Sequence, residues 1–154
     1  MCFGDVLTAM VTPFHDDGKV NYDKAQELAI HLLNNGSDGI VVGGTTGESP
    51  SLNKEETKAL YKAVKEAVGD KGFVIGGCGG NNTMVVAENM KELNKLGLDG
   101  YLTVVPYYNK PTQEGLFKHY ETLNRVSSAP IVVYNIPGRT GVNLAPDTLV
   151  RLSE

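Results

Sequence analysis

Four stretches of the chain carry residue types that can do chemistry. In Gly43-Gly44-Thr45-Thr46-Gly47, consecutive backbone N–H groups and two hydroxyls stand side by side, with Glu48 after them. Glycines permit the close approach and positive φ values that an anion nest requires. No Gly-Lys-Ser/Thr follows and GxGxxG is absent from the loop, so a carboxylate is a more natural guest than a nucleotide phosphate. A tight glycine-rich turn without a ligand is the other reading of this spacing. Tyr108, in Pro106-Tyr107-Tyr108-Asn109-Lys110-Pro111, and Tyr134 each offer a phenol. With a free pKa of ~10, a phenol passes protons only when hydrogen-bonded to a partner. Thr45 is a candidate partner; simple packing with the hydroxyl in water is the alternative. Arg139 follows Tyr134 by five residues in Asn135-Ile136-Pro137-Gly138-Arg139. Its guanidinium can grip a carboxylate with two parallel bonds, or form a surface ion pair.

The fourth stretch, Gly76-Gly77-Cys78-Gly79-Gly80-Asn81, favours a close-packed cysteine over a nucleophile. His15, His31 and His119 share no ligand spacing, so no metal is expected. Without a GxSxG elbow, a serine hydrolase arrangement is not supported.

These loops need elements to position them. Apolar, β-branched runs at 6–11, 40–42, 73–75, 101–105 and 131–134 alternate with segments 22–35, 53–68, 83–96 and 112–126. In those segments apolar residues recur at three- and four-residue spacing, as Ala25, Leu28, Ala29 and Leu32 do, which predicts helices. Asn53 and Thr112 stand at N-cap positions, Gly36, Gly69 and Gly97 at helix stops, and Pro146 at the start of a last helix. Strands alternating with helices imply βαβ units and a parallel sheet, and starts recur about every 30 residues. The chemical residues then all fall after strands, at the C-terminal ends where α/β folds bind ligands. Five βα units fit either an open doubly wound sheet or part of a (β/α)8 barrel. A closed barrel needs at least ~200 residues, more than the 154 here.

Composition bounds the rest. The chain is 41% hydrophobic with a net charge of −4, and its basic residues are interleaved with acids. No nucleic-acid footprint is visible, and no apolar run nears the ~18 residues of a membrane span. Asp5 and the lack of a basic start argue against a secretory signal. Cys2 and Cys78 fit neither a disulfide framework nor a zinc site, so a reduced, cytoplasmic location is expected.

Taken together, Gly44-Thr45-Thr46-Gly47-Glu48, Pro106-Tyr107-Tyr108-Asn109-Lys110-Pro111 followed by Gln113-Glu114-Gly115, and Tyr134-Asn135-Ile136-Pro137-Gly138-Arg139-Thr140-Gly141 resemble the dihydrodipicolinate synthase family. Its members are also called 4-hydroxy-tetrahydrodipicolinate synthases. They belong to the pyruvate-dependent class I aldolases, which include N-acetylneuraminate lyase; Arg139 favours the synthases within that group. The resemblance implies an α/β TIM barrel, with residues 1–154 as its first five βα units, truncated before the sixth strand. It implies a lyase of lysine and diaminopimelate biosynthesis that condenses pyruvate with aspartate semialdehyde through a Schiff base. No cofactor or metal is implied, and a homo-oligomer, dimer or tetramer, is. By the same resemblance Thr45, Tyr134 and Tyr108 form a proton relay, with Tyr108 reaching a partner subunit's site. Thr46 holds the pyruvate carboxylate and Arg139 that of the semialdehyde.

The family's imine-forming lysine lies on the sixth strand, and none of the lysines here replaces it: Lys19 and Lys110 sit in loops, the others on or beside helices. Stand-alone activity is therefore not expected. Asn81 and Tyr107 match the lysine-inhibition site of inhibited members, but Lys54, Thr57 and Val85 replace its common His, His and Glu. The alternatives are a non-catalytic half-barrel module that self-associates, a related pyruvate aldolase or lyase, and a complete five-strand doubly wound domain.

Overall fold

Helix-period segments and β-branched runs alternate along the chain, and the computed structural model, which describes residues 3–154, turns them into βα units. The part of the cysteine reading that concerns Cys2 lies outside the described residues. The chain forms two compact units, one reaching to Gly77 and including Leu96–Gly100, the other comprising Cys78–Lys95 and Tyr101–Glu154.

In the first unit, strands β1 (Leu7–Ala9), β2 (Gly39–Val42) and β3 (Phe73–Gly77) pair in parallel, with Leu7 opposite Gly39 and Gly39 opposite Phe73. Helix α1 (Tyr22–Asn34) is capped by the Asn21 side chain, which accepts from the Lys24 amide. Helix α2 (Lys54–Val68) opens with a capping box: Asn53 Oδ1 accepts from Glu56 N, and Glu56 Oε2 from Asn53 N, both at 2.9 Å. The apolar stripes of the two helices bury Ala25 and Ala29 on α1, and Leu60, Tyr61, Val64 and Val68 on α2. Asp99 Oδ2 ties α2 to β3, accepting from Lys65 Nζ at 2.7 Å and from the Val74 amide at 2.8 Å.

The second unit holds α3 (Thr83–Asn94), all but the first residue of β4 (Gly100–Val104), α4 (Gln113–Val126), β5 (Ile131–Tyr134), α5 (Pro137–Thr140) and α6 (Pro146–Ser153). β4 and β5 are parallel, with Val104 opposite Tyr134. One face of this pair packs on α4 and α6 around Val105, Leu116, Tyr120 and Leu144, with Ile131 and Val133 against them. Strand alternation turns Val132 and Tyr134, both half-buried, to the opposite face.

Several sequence expectations shift slightly. The 6–11 run yields a strand only over Leu7–Ala9, and Val6 and Val11 are exposed. The segment after Tyr134, read as a plain loop, contains the four-residue helix α5. The glycine stops hold: Gly36, Gly69 and Gly97 all take positive φ. Asn53, Thr112 and Pro146 also start helices as read.

His119, on α4, is buried. Its Nδ1 lies 2.9 Å from Thr83 Oγ1 on α3, and its Nε2 has no partner among the described residues. Burial pushes its pKa down to about 4. The unfolded chain takes up this proton near pH 6.5, whereas the folded chain resists it until about 4, so stability is full above 6.5 and falls as pH drops. Urea unfolding should show a loss of about 2–3 kcal/mol between pH 6.5 and 4. A His119→Gln chain should lack most of that slope.

Candidate active site

The five residues singled out by type and motif stand at or beyond the C-terminal ends of strands β2, β4 and β5. Thr45 and Thr46 follow β2 in the first unit, while Tyr108, Tyr134 and Arg139 lie in the second. Each group is built differently.

The loop after β2 is held from beneath. Thr12 Oγ1, buried, donates to Gly47 O at 2.6 Å, and Tyr61 Oη donates to Gly77 O at 2.7 Å. Gly43 has φ 64°, and a Cβ there would overlap the Tyr61 hydroxyl; a Cβ on Gly77 would overlap Gly43 O. Side chains are thus excluded where β2 and β3 end. The amides of Gly47 and Glu48 turn inward, to Gly44 O and Thr45 O, both at 3.1 Å. The nest expected from Gly43 to Gly47 is therefore narrower than its glycine count suggests. What remains outward-facing is Thr45 and Thr46: both are exposed, and their amides and hydroxyls donate to no group among the described residues. Glu48 takes φ 53° and leads into a 3-10 turn at Ser49–Ser51.

In the second unit, Tyr108 sits at φ 74° and is 87% exposed. Asn109 N donates to Tyr107 O at 2.9 Å, closing a strained three-residue turn around it. Such a conformation is costly for a bulky L residue, so the surroundings must impose it. Two bonds do so. The Tyr108 amide donates to Thr140 O at 3.4 Å, and Asn109 Nδ2 donates to Asn81 O at 3.0 Å. Tyr134 ends β5, where its carbonyl accepts from Val105 N at 3.0 Å. Arg139 lies on α5, exposed and without an ion-pair partner among the described residues. The surface ion pair considered for it is absent there, and its guanidinium is open to an anion.

The structure therefore brings Tyr108 into bonded contact with the Arg139 loop, through Thr140, and sets Tyr134 at that loop's root. Its supporting residues were not legible as site residues: Thr12, Tyr61 and Thr140 have ordinary types in ordinary places, and only their bonds reveal them. Cys78 is buried and its thiol is pushed up to about 12 by burial, in keeping with close packing. No cluster of three or more His, Cys, Asp or Glu residues able to hold a metal occurs among the described residues, and no helix there is long and apolar enough to cross a membrane.

Comparison with known proteins gives the family of the chain. The model of the dihydrodipicolinate synthetase family matches residues 2–154, and the chain belongs to that family. A 4-hydroxy-tetrahydrodipicolinate synthase of Desulforamulus reducens is 54% identical over 152 residues, covering 99% of this chain and 51% of that protein. The crystal structure of a dihydrodipicolinate synthase from Bacillus anthracis superposes with a TM-score of 0.97 at 45% identity, over all of this chain and 53% of that one. That of the Acinetobacter baumannii enzyme, complexed with pyruvate, gives 0.96 at 40% identity, over 99% of this chain and 53% of that one. The chain thus spans about half the length of its relatives, and its fold is that of the first five βα units of their TIM barrel.

Two outcomes follow from the loop backbones. Gly43→Ala should destabilise the chain by about 3 kcal/mol in urea unfolding, from a left-handed φ of 64° plus overlap with Tyr61. Tyr108→Gly should do the reverse, raising stability by about 1 kcal/mol, because it relieves the backbone while removing an exposed ring.

Proposed function

We propose that this chain carries the substrate-carboxylate and proton-relay half of a 4-hydroxy-tetrahydrodipicolinate synthase, a lyase that condenses pyruvate with aspartate semialdehyde. The observation that carries the reading is the bonded pair of loops holding Tyr108 and Arg139, with Tyr134 at the root of the second. The names of relatives more than 50% identical support it, and so does the pyruvate complex of the Acinetobacter baumannii protein.

In this reading Thr46 and its neighbouring amides receive the pyruvate carboxylate, since their donors are unspent. Thr45, Tyr134 and Tyr108 pass protons to and from the condensing carbon and oxygen atoms. A phenol with a pKa of ~10 can do so when its proton is shared along a hydrogen-bonded chain. Arg139 receives the carboxylate of the semialdehyde. Tyr108 acts at the site of a second subunit, which makes the working form a homo-oligomer, and the setting is the cytoplasm.

The electrophilic step needs an amine. Lys19 and Lys110 lie in exposed loops, and the half-buried Lys65 is paired with Asp99. None stands on a strand beside the phenols, so these 154 residues alone are proposed to bind without forming the imine. The second reading, a self-associating non-catalytic module, rests on exposed Leu149 and Val150 on α6, which leave apolar surface for a partner.

The test uses the chain alone and the chain extended by the C-terminal half of the Desulforamulus reducens relative. Alone, its mass should be unchanged after pyruvate and borohydride. Extended, it should gain one reduced pyruvyl group and turn over both substrates. Tyr134→Phe should then lower kcat by about 10²- to 10³-fold, and Arg139→Ala should raise KM for the semialdehyde with little effect on that for pyruvate. A folded extended chain without turnover would refute the synthase reading.

A further inference from the structure

Arg139 is useful to a substrate only if its loop is stiff, because a guanidinium on a wandering loop loses much of its binding free energy to ordering. Residues 135–145 are not left to wander. Asn135, the residue after β5, spans the mouth of the loop: its Oδ1 accepts from Leu144 N at 3.1 Å, and its Nδ2 donates to Asn143 Oδ1 at 2.8 Å and to Leu144 O at 3.4 Å. Gln113, the first residue of α4, seizes the same end from outside. Its Nε2 donates to Asn143 O at 2.8 Å, while its Oε1 accepts from Ala145 N at 2.9 Å and from Thr148 Oγ1 at 2.8 Å. Inside the ring so closed, Thr140 Oγ1 lies 3.1 Å from Ile136 O and 2.9 Å from Val142 O, and Thr140 O accepts the Tyr108 amide.

We infer that Gln113 and Asn135 are positioning residues for substrate recognition: two side-chain amides close the loop that presents Arg139 and, through Thr140, fix the loop that presents Tyr108. Gln113 is half-buried and Asn135 exposed, and four of their six bonds go to the backbone of residues 143–145. Their bonds are not needed to start α4, which is already capped by Thr112 Oγ1 on Gly115 N at 3.2 Å. The brace acts on the geometry of recognition and touches no substrate atom. This inference rests on the reading of Arg139 as the seat of the semialdehyde carboxylate.

The 154-residue chain, labelled at its arginines and backbone amides with ¹⁵N, is titrated with aspartate semialdehyde while the Arg139 Nε–H resonance is followed. The expected result is a saturable shift in the parent chain and a dissociation constant at least tenfold weaker in Gln113→Ala, with the Tyr108 amide resonance displaced before ligand is added. Pyruvate-induced shifts at Thr45 and Thr46 should be the same in both. Asn135→Ala, which opens the ring at its other clamp, should repeat the effect and serves if Gln113→Ala does not fold. A lower melting midpoint with a dissociation constant within twofold of the parent's would overturn the inference and leave the Arg139 reading standing. No saturable shift in the parent chain would overturn the Arg139 reading, and the inference with it.

Discussion

The architecture turns on backbone held where L residues rarely go. Tyr108, Lys110 and Glu48 take φ values of 74°, 45° and 53°, and all three lie on loops that follow strands. Each such residue costs on the order of 1–2 kcal/mol against an ordinary conformation, so nearby bonds must outweigh it. For Tyr108 those bonds are its own amide to Thr140 and the Asn109 side chain to Asn81. The result is a phenol held far out in solvent from a base fixed by those bonds. Bonds also set the loop after β2, where Thr12 takes the Gly47 carbonyl and the amides of Gly47 and Glu48 turn inward, while Thr45 and Thr46 stay exposed.

Stability and chemistry are thereby divided between residues. Within each unit the buried residues are mostly apolar, and in the second Cys78 and His119 are kept neutral by burial. Reactive types stand at strand ends, on loops braced by side-chain amides and hydroxyls. That division lets a parallel α/β scaffold tolerate strained, exposed loop residues, because the free energy of folding comes from elsewhere.

Much of this was legible in the sequence, for identifiable reasons. Helix segments showed through a 3.6-residue apolar period and through caps such as Asn53 and Thr112, whose types act locally. Thr45, Thr46, Tyr108, Tyr134 and Arg139 showed through motif and position after strands. Hidden were features that depend on contacts distant in sequence. Gln113 meets Asn143, Ala145 and Thr148, and Thr12 meets Gly47, some thirty residues away. Helix α5 was hidden by the opposite problem: four residues beginning Pro-Gly are too few to show a period. The extent of the anion nest was over-read, since glycine count says where amides can turn outward, and the inward bonds of Gly47 and Glu48 decide which ones do.

Under the proposed function, the outward-facing threonines after β2 seat a small carboxylate. The most direct measurement is a pyruvate titration of the ¹⁵N-labelled chain, reading backbone amide resonances. The account predicts saturable shifts centred on Thr45 and Thr46, abolished in Gly43→Ala and unaffected by an equal concentration of chloride. Shifts spread over the exposed lysines, or none at Thr45 and Thr46 up to saturating pyruvate, would contradict it.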